Sequence, residues 1–98
     1  MSEVLRLQAF LQSHFAVVVD KDDLLKELEE KLALRIKHLI EHNHERLFQI
    51  LYQIDVHESQ VQKAFDLGEL DRVSLALAKF ILERQIKKLD TRGQEFKD

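Results

Sequence analysis

The segment that decides the fold is LKELEEKLALRIKHLIEHNHERLFQILYQI, residues 25–54. Its main apolar positions are spaced by three, four and four residues in repeated order, a mean of about 3.67 residues that is close to the period of a straight α-helix. Only Asn43 interrupts this stripe, and the segment contains neither glycine nor proline. The pattern predicts one long central helix over about residues 21–54, roughly 50 Å long at 1.5 Å per residue. The stripe consists of Leu25, Leu28, Leu32, Ile36, Leu39, Asn43, Leu47, Ile50 and Ile54.

The alternative is a break at Asn43. Asparagine is a favoured N-cap residue, so a second helix could begin directly after it. That start lacks a capping box, because Arg46 occupies the position where a glutamate or glutamine would reach back to the cap. The sequence therefore favours the continuous helix and leaves the break as the alternative.

Shorter helices are predicted on both sides of the central segment. Before it, the spacing of Val4, Leu7, Leu11 and Phe15 indicates a helix over about residues 3–15. The central helix is expected to begin near Lys21. Asp20 is its predicted N-cap, and Val19 and Leu24 occupy the positions of a hydrophobic staple.

After the central segment, two further helices are expected. Asp55, followed three residues later by Glu58, resembles a capping box that opens a short helix through about residue 66. Gly68 is the expected C-terminal glycine of that helix. Asp71 is the predicted cap of the last helix, which is expected to end near Gly93.

Composition supports an all-α fold. The chain has 98 residues, of which 45% are hydrophobic, and it contains no proline and two glycines. Because turns rely on these two residue types, their scarcity indicates long helices and few connections. The prediction is a small bundle of about four helices, with one domain over residues 1–92 and a flexible tail over residues 93–98.

Composition also excludes several classes of function. The net charge of −3 makes a nucleic-acid partner unlikely, and without cysteine there is no disulfide, thiolate nucleophile or Cys-based metal site. No apolar run approaches the ~20 residues that span a bilayer, and the N-terminus lacks the pattern of a signal peptide, so a cytoplasmic protein without a membrane partner is expected. No nucleotide-binding or hydrolase motif is visible, and neither a cofactor nor a catalytic residue is expected.

A cluster of histidines in HLIEHNHE, residues 38–45, is the clearest candidate for chemistry. His38 and His42 lie four residues apart, so on a helix both rings could hold one metal ion, and Glu41 with His44 has the Glu-x-x-His spacing of di-metal bundles. On a helical wheel, however, the cluster faces away from the apolar stripe or lies on its flank. It is therefore predicted to be a solvated surface, and a metal-binding protein remains an alternative.

Two other features concern possible contacts. Tyr52, the only tyrosine, lies in a nearly apolar stretch and is expected to be a core residue whose hydroxyl reaches the surface. Near the C-terminus, basic residues gather and could dock an acidic or nucleic-acid partner, although cations at a helix C-terminus also complement the helix dipole. These residues are Arg84, Lys87, Lys88 and Arg92.

The stretches LFQILYQIDV, residues 47–56, and ILERQIKKLDTR, residues 81–92, resemble the C-terminal half of a family of small bacterial all-helical proteins. In that family a leucine-rich helix ending in an LYxID pattern precedes a final helix with an ERQxxK pattern. The family has no assigned activity, so the resemblance implies a helical fold and no site.

A helix of roughly 50 Å would exceed the ~34 Å diameter of a compact 100-residue domain. The overhanging apolar stripe would then need cover, and a second copy is the simplest cover. The sequence thus predicts a non-enzymatic, homodimeric interaction or structural module. The expected interface residues are Leu39, Leu47, Ile50, Leu51 and Ile54.

Overall fold

The computed structural model describes residues 2–19 and 23–95, with side chains over residues 6–19 and 23–87. This part of the chain forms five α-helices and no strand, which confirms the all-α prediction. The helix count exceeds the expected four because the central segment forms two helices. The elements are α1 (Ser2–Phe15), α2 (Leu25–His42), α3 (His44–Gln53), α4 (Glu58–Phe65) and α5 (Leu70–Glu95).

The prediction of one continuous central helix is wrong, since the helix breaks at Asn43. The Asn43 N–H still donates to the carbonyl of Leu39, 2.7 Å away, and so completes α2. Its side-chain oxygen accepts a hydrogen bond from the backbone N–H of Arg46 at 3.3 Å, which caps α3. The missing capping-box acid does not prevent this start, because the cap needs only a backbone donor at the third position. The longest dimension of the molecule is 42 Å, shorter than the predicted helix.

The start of the central segment also differs from the prediction. Helix α2 begins at Leu25 rather than near Lys21, and the carboxylate of Glu27 accepts a hydrogen bond from the backbone N–H of Leu24. The predicted cap, Asp20, lies outside the described residues. Asp23 forms an ion pair with Lys31 of α2, in which the Lys31 amine nitrogen lies 2.7 Å from the Asp23 carboxylate oxygen.

The core forms chiefly between α2 and α5, which make the most extensive contact of any two helices in the described chain. A hydrogen-bonded ion pair also joins them, with the Asp71 carboxylate 2.9 Å from the Lys37 amine. This hydrogen bond, together with the charge of Asp71, raises the pKa of Lys37 above its ordinary value. From α5 the core receives Val73, Leu77, Ala78, Ile81 and Leu82.

The five residues predicted at a dimer interface are core residues of a single chain. Each has at most 5% of its surface exposed within one copy. The break at Asn43 accounts for this, because it allows α3 to be covered by the rest of its own chain. Their role at an interface between two copies stays a prediction. The five residues are Leu39, Leu47, Ile50, Leu51 and Ile54.

Asp55 ends α3 instead of starting α4. It adopts a left-handed conformation, with φ 64°, and its N–H donates to the carbonyl of Tyr52 while the N–H of Val56 donates to that of Leu51. These two bonds form a Schellman motif, in which glycine usually occupies the left-handed position. Helix α4 is capped by His57, whose Nδ1 accepts from the N–H of Ser59 at 3.1 Å.

The end of α4 lies close to its predicted position, whereas both ends of α5 differ from the prediction. Helix α4 ends at Phe65 with Asp66 as its C-cap, and Gly68, three residues after Phe65, takes φ 82°, a conformation that favours glycine. Helix α5 begins at Leu70, one residue before the predicted cap Asp71. It then continues through Gly93 to Glu95, so Gly93 does not end the helix.

Candidate functional site

The outer face of α3 carries two aromatic side chains in contact with solvent. Tyr52 is 89% exposed and Phe48 is 45% exposed, so the expectation that Tyr52 is a core residue is wrong. At 100° per residue, Tyr52 lies about 150° from the centre of the buried face of α3. A helical wheel drawn for α3 alone would have placed Tyr52 outside. The sequence interpretation instead treated the stretch as apolar all round.

Helix α4 turns this face into one wall of a groove of about 990 Å³, here named the α3–α4 groove. Phe48 of α3 stacks on Phe65 of α4, with ring centroids 5.7 Å apart, and this contact joins the two helices along the groove. The apolar lining consists of Phe48, Leu51, Tyr52, Val56, Val61 and Phe65.

The charged residues around the groove are acidic. Asp55 and Glu58 line it, and Glu45 lines an adjoining shallow hollow that shares Phe48 and Tyr52. Neither a lysine nor an arginine is among the described residues that line the groove or the hollow. The groove is therefore apolar at its centre and carries acidic residues at its rim, one of which, Asp55, is paired with Arg84.

The groove is held in place by the turn between α3 and α4 and by α5. The Schellman motif at Asp55 and the cap at His57 fix the angle at which α4 leaves α3. The Asp55 carboxylate also accepts a hydrogen bond from Arg84 of α5, 3.2 Å away. Asp55 and His57 thus take part in turn, cap and ion-pair contacts that position the groove.

The histidine cluster lies on the surface, as the helical wheel predicts. His38, Glu41, His42 and His44 are all exposed. The rings of His38 and His42 are near neighbours, with centroids 4.5 Å apart. Within the described residues, no group of three or more potential ligands lies close enough to hold a metal ion. Structural metal sites use three or four protein ligands, so this pair alone offers weak coordination.

The basic segment, residues 84–92 of α5, is only partly described at the side-chain level. Arg84 pairs with Asp55, and Lys87 is exposed. Both line a cleft of about 240 Å³ together with Asp55 and His57, directly beside the α3–α4 groove. The side chains of Lys88 and Arg92 lie outside the described part of the structure.

Among the helices as far as they are described, none combines the length and the apolar character needed to cross a bilayer. No protein-family model matches the chain, and no curated protein or solved structure does so either. The resemblance of its C-terminal half to a family of bacterial helical proteins therefore stays a prediction.

Proposed function

We propose that this protein is a non-enzymatic helical interaction module that acts as a homodimer. The observation that carries the proposal is the exposed aromatic face of α3, above all Tyr52 at 89% exposure. Tyrosine and phenylalanine are enriched at the centres of protein interfaces, where they supply a large apolar area with few rotatable bonds. On a chain this small, two such residues beside an apolar groove favour a binding surface.

The polar groups around the groove support binding over catalysis. The Nδ1 atom of His57 lies 2.8 Å from the Ser59 hydroxyl and also accepts from the Ser59 N–H, so this nitrogen caps the N-terminus of α4. Asp55 is engaged by Arg84. Asp55 and His57 therefore have structural partners that account for their positions.

Native mass spectrometry of untagged protein tests this proposal, because one spectrum gives the oligomeric state and any bound metal. We expect a metal-free dimer at micromolar concentration. A monomer at tens of micromolar would overturn the homodimer. One stoichiometric metal ion per chain would favour the alternative function at His38 and His42.

Two matched variants locate the contact. Tyr52→Ala removes an exposed aromatic ring and is expected to weaken the dimer by about 30-fold or more, the effect of removing an interface hot spot. Leu34→Ala removes an exposed side chain from α2, where Leu34 is 69% exposed, and should leave the dimer unchanged. Equal effects of the two variants on the dissociation constant would place the contact elsewhere.

A further inference from the structure

The cap of α4 depends on the protonation state of a histidine. The Nδ1 atom of His57 lies 3.1 Å from the backbone nitrogen of Ser59 and 2.8 Å from the Ser59 hydroxyl oxygen. An amide N–H can only donate, so Nδ1 is the acceptor and the ring carries its single proton on Nε2. The cap therefore requires a neutral imidazole. The usual N-cap residues accept through oxygen atoms instead, and they do so throughout the range near neutral pH.

Protonation of this imidazole removes the acceptor. With a proton on both ring nitrogens, Nδ1 can still donate to the Ser59 hydroxyl, but the Ser59 N–H loses its partner. The added positive charge also lies at the N-terminus of α4, where the helix dipole favours anions. Both effects act against the first turn of α4. The His57 side chain is exposed, so solvent protons reach it without any rearrangement of the fold.

The charges around His57 do not reverse this effect. The charged side chains that share a cavity with it are Asp55, Glu58, Glu83, Arg84 and Lys87. The first two lie within two residues of His57 in the sequence, so they stay near the ring whether or not the first turn of α4 is formed. Of the three on α5, Arg84 is paired with Asp55, and the other two are exposed and opposite in charge. The hydrogen bond and the helix dipole therefore decide how protonation acts on α4.

Helix α4 is held weakly enough for its cap to matter. Of its eight residues, all of them described, Ala64 alone is buried. Isolated helices of this length are marginal in water, and segments with few buried apolar contacts open locally at low cost. An N-cap typically changes the equilibrium between the formed and the frayed helix by about fivefold. Loss of the cap therefore shifts α4 measurably toward its frayed state.

The first turn of α4 also shapes the α3–α4 groove. The N–H of Val61 donates to the His57 carbonyl at 3.2 Å, so the turn that His57 begins also places Val61 in the groove wall. One turn further on, Phe65 completes that wall by stacking on Phe48 of α3. The protonation state of His57 and the shape of the groove are thus coupled through a single helical turn.

We propose that His57 is a pH-sensitive switch for the α3–α4 groove. The neutral ring caps α4 and keeps its wall of the groove in place, whereas the protonated ring releases the first turn of α4 and loosens that wall. Histidine ordinarily changes its charge between pH 5 and 8, so the groove is formed at neutral pH and loosened in mildly acidic solution. The switch lies within one chain and goes beyond the homodimer proposed above, since it needs no second copy.

Amide hydrogen exchange over residues 61–65, corrected for the intrinsic pH dependence of exchange, tests the switch. His57→Asn is the informative variant, because asparagine is a favoured N-cap that does not titrate. Between about pH 7.5 and pH 5.5, protection of these amides should fall about threefold or more in the wild type, and it should stay constant in the variant. His44→Asn is the matched control, since it makes the same change at an exposed histidine at the start of α3. It should keep the wild-type response.

Two results would overturn the switch: constant protection in the wild type, or an equal pH response in the wild type and in His57→Asn. A second measurement depends on no variant. The ¹⁵N chemical shifts of the His57 ring at about pH 7.5 should show a proton on Nε2 and none on Nδ1. A proton on Nδ1 at that pH would also refute the proposal. Both measurements serve equally well on a monomer, so their outcome is independent of the homodimer.

Discussion

The break between α2 and α3 makes a quantitative prediction about Asn43. Replacing it by alanine removes the side-chain oxygen that accepts from the N–H of Arg46. Two outcomes are conceivable. Either α3 loses its cap and keeps its place, or the two helices fuse into the continuous helix that the apolar spacing of residues 25–54 favours.

Burial decides between these outcomes. A straight helix would carry the buried face of α3 and its C-cap residue away from their present contacts. Exposing each of the four large side chains would cost about 1.5–3 kcal/mol of stability, or roughly 6–12 kcal/mol in all. Fusion would restore about three backbone hydrogen bonds with a net value of ~0.5–1.5 kcal/mol each, or roughly 1.5–4.5 kcal/mol. The break should therefore persist. The four side chains are those of Leu47, Ile50, Leu51 and Ile54.

The expected result for Asn43→Ala is a loss of about 1 kcal/mol, the usual value of an N-cap, with no gain in helix content. Urea denaturation followed by circular dichroism at 222 nm measures both quantities, and the midpoint should fall by about 0.3–1 M. Asn43→Asp is the control, because aspartate caps equally well. An alanine variant as stable as the wild type, with increased ellipticity, would refute this reasoning.

Two further substitutions test local features. The Ser74 hydroxyl is buried without a hydrogen-bond partner in the described structure, so Ser74→Ala should raise the free energy of unfolding by ~1 kcal/mol; a lower melting temperature would contradict this. Ala16 directly follows α1 and has φ 54°, a left-handed conformation that costs an L-residue about 1–2 kcal/mol. Ala16→Gly should therefore raise the free energy of unfolding by ~0.5–1 kcal/mol, measured by urea titration. Ala9→Gly, inside α1, should have the opposite sign.

Much of the helical framework can be predicted from the sequence alone. Scarce glycine and proline, with apolar residues at helical spacing, determine an all-α chain. The same spacing places His38 and His42 on the outer face, because a helix with one apolar stripe turns its opposite face to water. These features follow from short-range geometry.

The candidate site was harder to predict. Its central residues, Phe48 and Tyr52, are apolar in type, and the sequence interpretation assigned Tyr52 to the core. A wheel drawn over residues 47–54 would have corrected this, because the angle between Tyr52 and the apolar stripe does not depend on where the helix begins. The acidic rim depends further on the turn at Asp55, which brings α4 beside α3.

At Asn43 the local signals favour a continuous helix by only about 0.5–3.5 kcal/mol, the difference between a few continued helix bonds and a cap. The sequence by itself determined that residues 25–54 are helical and which of their faces is apolar. Only the tertiary structure decided where the helix breaks, since burying three side chains of α3 and that of its C-cap residue Ile54 outweighs either local preference. Through that break it also decided that Leu47 and Ile50 are core residues of one chain, and that Tyr52 faces solvent.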